Sequence, residues 1–274
     1  MAKKLDLIEI MRSHFASSKR WLRLSIGCNI GVVLLSIPTS LSLVGSDYTY
    51  VPVALLLIQI GAFVLRELSI KSYSFAESVR RLAMFRDGLG IKLSDIQWKR
   101  LIKVARKRNI DEPPYLGHYY DSKLPQGPER LLQILTESCF YTESIAHNSF
   151  RILITITAIN ILVVITLILV IVNAFTSHSV LLNITLLSLP ILSFWATGDV
   201  ANMGLRFHEL HKVCSDILLK CDELQRAKAN QLDVIMRMVD DYNCALSASL
   251  PLPTKFYESE KVELNKSWAS NLKS

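Results

Sequence analysis

Three stretches of this chain, Leu24 to Val44, Ile152 to Phe175 and Val180 to Gly198, contain no Asp, Glu, Lys or Arg. A fourth, Tyr48 to Leu65, is shorter and equally free of charge. Crossing a hydrocarbon core about 30 Å thick takes roughly 20 helical residues, because a helix rises only ~1.5 Å per residue. Three runs meet that length outright. The shorter one is extended by Tyr48 and Tyr50 at its start and Arg66 at its end, where interfacial aromatics and a snorkelling cation belong. The pattern predicts an all-α, polytopic membrane protein whose four transmembrane helices form two hairpins, residues 24–65 and 152–204. A mean hydropathy of +0.30 in a chain that is still 20% charged fits such segregation. A cleaved signal is not expected, because the first run is too long for a signal core and 23 residues precede it.

The cations orient the spans. Six Lys/Arg precede the first run, fifteen lie between Arg66 and Arg151, and ten between Arg206 and Lys273, which accounts for all 31. The short connections Gly45–Asp47 and Thr176–Ser179 have none. Under the positive-inside rule both termini and the middle segment are cytoplasmic, as expected of a multi-pass protein of the cell inner membrane. The net charge of +7 is then a juxtamembrane property, suited to lipid headgroups or an anionic ligand, and not a sign of nucleic-acid binding. Cys28 falls in a span and Cys139, Cys214, Cys221 and Cys244 on the reducing side, so no disulfide framework is expected.

Outside the spans the pattern is helical throughout. Residues 1–23 read as a cytosolic N-terminal amphipathic helix, 66–151 as a cytosolic helical insert, and 205–274 as a C-terminal helix and tail. The second span runs on past Arg66 without Pro or Gly up to Gly88, and "DGLG" at Asp87–Gly90 breaks it. "KLSDIQWKRLIKVARKRN" then places Leu93, Ile96, Leu101, Val104 and Ala105 at helical spacing opposite a basic face. Gly127, Pro128 and Glu129 form a helix start. From there to Phe175 no Gly or Pro intervenes, which predicts one helix about 72 Å long with its first half in the cytosol. Leu205 to Leu246 reads as one amphipathic helix or a short coiled coil through Leu210, Val213, Ile217, Leu224, Ile235, Met238 and Tyr242.

No catalytic signature is present: the chain lacks a P-loop, G-x-G-x-x-G, G-x-S-x-G and C-x-x-C. No enzyme activity, cofactor or metal is therefore expected. "HELH" sets His208 and His211 three apart with Cys214 following, but without a carboxylate partner bundle-facing histidines are the better reading. Within the spans Ser25, Asn29, Ser36 and Ser40 share one narrow face of the first helix, with Gly27 and Gly31 nearly opposite. Thr155, Thr166 and Asn173 share a face of the third. Such stripes serve either as interhelical packing or as a lining for water once helices rearrange. Asp199 is the one acid beside a membrane segment, and its place at the end of the fourth run favours the interface.

"YYDS" at Tyr119–Ser122, "GPERLLQILTESCFYT" at Gly127–Thr142 and the tail from Asp241 to Trp268, with Leu252, Pro253, Tyr257, Leu264, Asn265 and Trp268, resemble the bacterial four-transmembrane effectors associated with SMODS nucleotide synthases. The two-hairpin layout extends the resemblance over nearly the whole chain. It implies a pore-forming or membrane-disrupting antiphage effector, oligomeric in the membrane and switched on by a cyclic nucleotide from a neighbouring synthase. It supplies no catalytic residues. The basic run Lys99, Arg100, Lys103, Arg106, Lys107 and Arg108 is the first place to seek contact with an anionic nucleotide, the competing readings being lipid headgroups and plain solvation. Tyr119, Tyr120, Asp121, Arg130, Glu137, Ser138 and Phe140 form the candidate coupling motif between a cytosolic signal and the bilayer. The alternative function is a non-conducting membrane anchor or scaffold whose cytosolic helices recruit a partner.

Overall fold

The structure is a computed structural model; it describes residues 6–41, 50–106, 119–174, 180–227, 231–251 and 254–271. Among them are seven helices and no strand: α1 Leu7–Leu41, α2 Val51–Leu89, α3 Asp95–Arg106, α4 Pro128–Ala174, α5 Val180–Ala227, α6 Leu232–Ala248 and α7 Thr254–Asn271. Two of them are long and apolar enough to cross a membrane, α2 and α4 over Pro128–Val170. Only 22% of each apolar window is buried, unlike the core helix of a water-soluble protein, which hides most of its surface.

Several boundaries follow from local chemistry. Ser94 and Gln97 form a capping box at the start of α3: the Ser94 amide donates to Gln97 Oε1 (3.0 Å) and the Gln97 amide to Ser94 Oγ (3.3 Å). α2 stops at the expected turn, where Gly90 takes a left-handed backbone (φ 74°) that only glycine adopts without strain. A Cβ there would also lie 2.6 Å from Gln126 Oε1. Gly88 permits a close approach of α2 to α4, since an added Cβ would come within 3.2 Å of the Leu131 backbone. α4 begins at Pro128 and stays helical for 47 residues, close to the expected length.

One boundary differs from the sequence reading. Leu205 to Leu246 is not one helix; α5 ends at Ala227, and α6 starts after Gln231, whose backbone is extended (φ −78°, ψ 97°). "RAKANQ" offers no large apolar side chain to hold a continuing helix against a core. The break lets Ile235, Met238, Val239, Tyr242 and Leu246 of α6 be buried.

The chain divides into two compact units. Unit 1 comprises residues 1–19, 70–149 and 206–274 and has an apolar interior. One of its clusters joins Leu7, Ile8, Ile10 and Met11 of α1 to Val79 of α2 and Leu101 of α3, flanked by Phe15, Phe75 and Trp98. Unit 2 comprises residues 20–69 and 150–205. Val32, Val33, Leu55, Leu192 and Ala196 form its apolar cluster. α1, α2, α4 and α5 each contribute to both units without interruption.

Candidate functional site

Unit 2 is inverted relative to a protein folded in water. Apart from Ile91, Ile96, Leu124, Leu219, Leu232 and Val262, every large apolar side chain exposed among the described residues belongs to it. Its buried residues include Ser25, Asn29, Ser36, Gln59, Thr157, Asn160, Ser193 and Thr197. Ser25 Oγ donates to the Ala62 carbonyl (2.8 Å), tying α1 to α2. Ser193 Oγ donates to Ser36 Oγ (2.9 Å), tying α5 to α1. Asn29 Nδ2 donates to Asp199 Oδ2 (2.8 Å), and Asp199 Oδ1 is ion-paired with the Arg66 guanidinium. Asp199 is thus paired and largely shielded: the side chains of Arg66 and Asp199 are 12% and 17% exposed. In hydrocarbon a charge persists only when paired, and here three helices meet on one carboxylate.

The predicted stripes separate into two groups. Ser25, Asn29 and Ser36 lie together inside unit 2, whereas the side chains of Ser40 and Asn173 fall outside the described residues. Thr155 and Thr166 are not brought to them. Both are exposed, and each hydroxyl donates to the carbonyl four residues earlier, Arg151 (2.8 Å) and Leu162 (2.9 Å). The face of α4 that turns inward carries Leu153, Thr157, Asn160, Val164 and Leu167. Their alternating four and three spacing is the signal that would have found it. Among the described residues, Gly27 and Gly31 meet nothing within 4 Å of an added Cβ, so they mark no close helix crossing there.

Unit 1 has a polar centre around Arg80. Its Nε donates to Glu77 Oε2 (2.6 Å), Nη1 to the Tyr242 hydroxyl (3.4 Å) and Nη2 to Asn243 Oδ1 (3.2 Å). Burial alone would favour loss of the Arg80 proton; the Glu77 carboxylate overrides it and holds the guanidinium above its already high ordinary range. The Tyr242 hydroxyl lies 2.8 Å from Thr142 Oγ1 and 3.2 Å from the Ser138 carbonyl, to which it donates. One ion pair thereby joins α2, α4 and α6. Burial pushes the phenols of Tyr73, Tyr120 and Tyr242 well above their usual value, so all three stay neutral.

The candidate coupling motif is split between contacts. Tyr120 is buried against Tyr119, ring centroids 4.8 Å apart. Asp121 is exposed, but its amide donates to both oxygens of buried Glu137 (3.3 and 3.1 Å). Arg130 Nη1 donates to the Leu124 carbonyl (2.6 Å), closing the turn before α4. Phe140 packs against Trp268 of α7 at 5.6 Å, and the neighbouring Tyr141 hydroxyl donates to Asn265 Oδ1 (2.8 Å). Two segments quoted together from the sequence, one on α4 and one in the tail, therefore touch. Lys99, Arg100 and Lys103 lie exposed on α3 opposite Leu101; the Arg106 side chain, Lys107 and Arg108 fall outside the described residues.

Burial raises the Glu137 carboxyl to about 7, against the opposing pull of the Asp121 amide. Below about pH 4.5 the folded and unfolded chains both keep this proton. Between 4.5 and 7 only the unfolded chain releases it, so stability should fall as pH rises through that window and level off above 7. The drop attributable to Glu137 is up to roughly 3 kcal/mol. Thermal unfolding from pH 4.5 to 8 checks it, the Glu137→Gln variant being expected to show a flatter profile.

His211 Nδ1 lies 3.9 Å from Glu143 Oε1, and its ring sits tilted at 4.9 Å from that of His147. Among the described residues no three of His, Cys, Asp or Glu are grouped to hold a metal, and Cys214 is buried. Comparison with protein-family models, with curated proteins and with solved structures finds no match to this chain.

Proposed function

We propose that this protein is a four-span effector of the bacterial inner membrane, both termini cytoplasmic, which permeabilises the bilayer when a cytosolic cyclic nucleotide signals infection. The observation that carries the membrane part is the inversion of unit 2, with apolar side chains outside and a bonded polar set inside. Lipid solvates the first, and only other helices or water can satisfy the second. The charge-free runs of α1 and α5 complete the two hairpins begun by α2 and α4. The resemblance to SMODS-associated effectors supplies the kind of signal and the defence role. Unbroken helices supply a route, since α4 is helical through Ser149 and Phe150 where the units divide. The exposed cations of α3 suit a phosphate-bearing ligand or the anionic headgroups beside it. At rest Ser25, Asn29 and Ser36 are bonded within one chain and leave it little lumen, so conduction requires these helices to rearrange, in an assembly of several copies as the resemblance implies.

The same bonding favours a second reading, a non-conducting anchor whose cytosolic unit recruits a partner. Release of a trapped dye from liposomes carrying the purified protein separates the two. Leakage that appears on adding one of a panel of cyclic di- and trinucleotides is the expected result. Sealed vesicles under every nucleotide, with unimpaired growth on overexpression, leave only the anchor.

A further inference from the structure

The interior of unit 2 is polar in layers. Asn29, Arg66 and Asp199 meet in one. Two helical turns along α1, about 10 Å away, Ser36 meets Ser193 in another. Gln59 lies two turns before Arg66 on the same face of α2, a face continued by buried Leu55, Ala62 and Ser69. Gln59 Oε1 and Asn160 Nδ2 are buried and have no hydrogen-bond partner among the described residues. An unsatisfied amide is costly in a dry medium, and water is the partner that removes the cost. The interior is therefore fitted to take up water between helices that are bonded to one another at its layers.

We propose that this interior lines the permeation path and that the Arg66–Asp199 pair is its gate, closed while the two charges touch and exposed to passing ions once α2 and α5 separate. The inference rests on the permeabilising function proposed above and adds where ions pass and what holds them back. Two features single out this layer. Opposite charges pair here with side chains only 12% and 17% exposed, and the carboxylate also receives Asn29 from a third helix. In contact the charges cancel, and their attraction is strong because little water screens it. Apart, each is hydrated and presents a full charge to the path, so intermediate separations are disfavoured and the element has two states.

The test is conductance of the full chain in planar phospholipid bilayers under a KCl gradient, with and without the panel of cyclic di- and trinucleotides. Arg66→Gln and Asp199→Asn should each conduct without any nucleotide, where the wild type does not. Their reversal potentials should move in opposite directions, Arg66→Gln towards cation preference and Asp199→Asn towards anion preference. Each should change the permeability ratio by about fivefold or more. A role in packing alone would not move selectivity: variants that keep the wild-type reversal potential and stay closed at rest overturn the gate while leaving permeabilisation intact. Should either single variant fail to insert, the exchange Arg66→Asp with Asp199→Arg restores a pair. That protein is expected to insert and to rest closed, and resting conductance from it also overturns the proposal. A wild type that conducts under no nucleotide removes the permeabilising function itself, a result distinct from either of these.

Discussion

Replacing Arg80 by Met is expected to lower the thermal unfolding midpoint of unit 1 by about 6–20 °C, from a loss of roughly 3–5 kcal/mol. Met fills most of the space but leaves the Glu77 carboxylate in a dry site with no counter-charge, and it removes donors from the Tyr242 hydroxyl and Asn243 Oδ1. The damage comes from the stranded charge, so removing that charge as well should repair most of it. Arg80→Met with Glu77→Met is expected to fall within about 2 kcal/mol of the wild type, because a well-packed apolar pair often matches a buried ion pair. Circular dichroism melts of the four proteins in the same detergent form a double-mutant cycle. Additive losses in that cycle would show that Arg80 acts through packing and not through Glu77.

Replacing Trp268 by Ala is expected to release α7. Among the described side chains of that helix only Leu264 and Trp268 are buried; its other described side chains, from Val262 to Ser270, are exposed. Truncating a buried Trp costs about 3–5 kcal/mol, and the ring pair with Phe140 about 1 kcal/mol of that. Among the described side chains the other contact is the Tyr141–Asn265 hydrogen bond, which is exposed and contributes about 1 kcal/mol at most. Trypsin cleavage at Lys261 and Lys266 should accelerate at least a hundredfold, with the melting of the rest of unit 1 little changed. Trp268→Phe should keep most of the protection. Equal cleavage rates for the Ala variant and the wild type would mean that α7 is held by contacts other than Trp268.

Much of this organisation is legible along the chain because its causes are local. Charge-free runs of hydrocarbon length, the glycine turn after α2 and the Pro128 start of α4 depend on neighbours a few residues away. The basic face of α3 was equally readable, since helical spacing alone sets Lys99, Arg100 and Lys103 opposite Leu101. The separation of α5 from α6 was harder, because "RAKANQ" contains neither Gly nor Pro, yet Gln231 takes an extended backbone.

Composition and periodicity by themselves determined that the chain is helical, that it carries helices long and apolar enough to cross a membrane, and which polar residues share a face of each helix. Which of those faces turns inward was decided by the tertiary structure. Ser25, Asn29 and Ser36 went inside, while Thr155 and Thr166 went outside, because a Ser or Thr can satisfy its hydroxyl on its own helix and so carries no obligation to be buried. Asp199 had no such escape. A carboxylate largely hidden from water needs a cation, and the cation is Arg66. That pairing, like those of Arg80 with Tyr242 and of Phe140 with Trp268, joins residues far apart in the chain. No spacing rule relates them; only the meeting of helices brings them together.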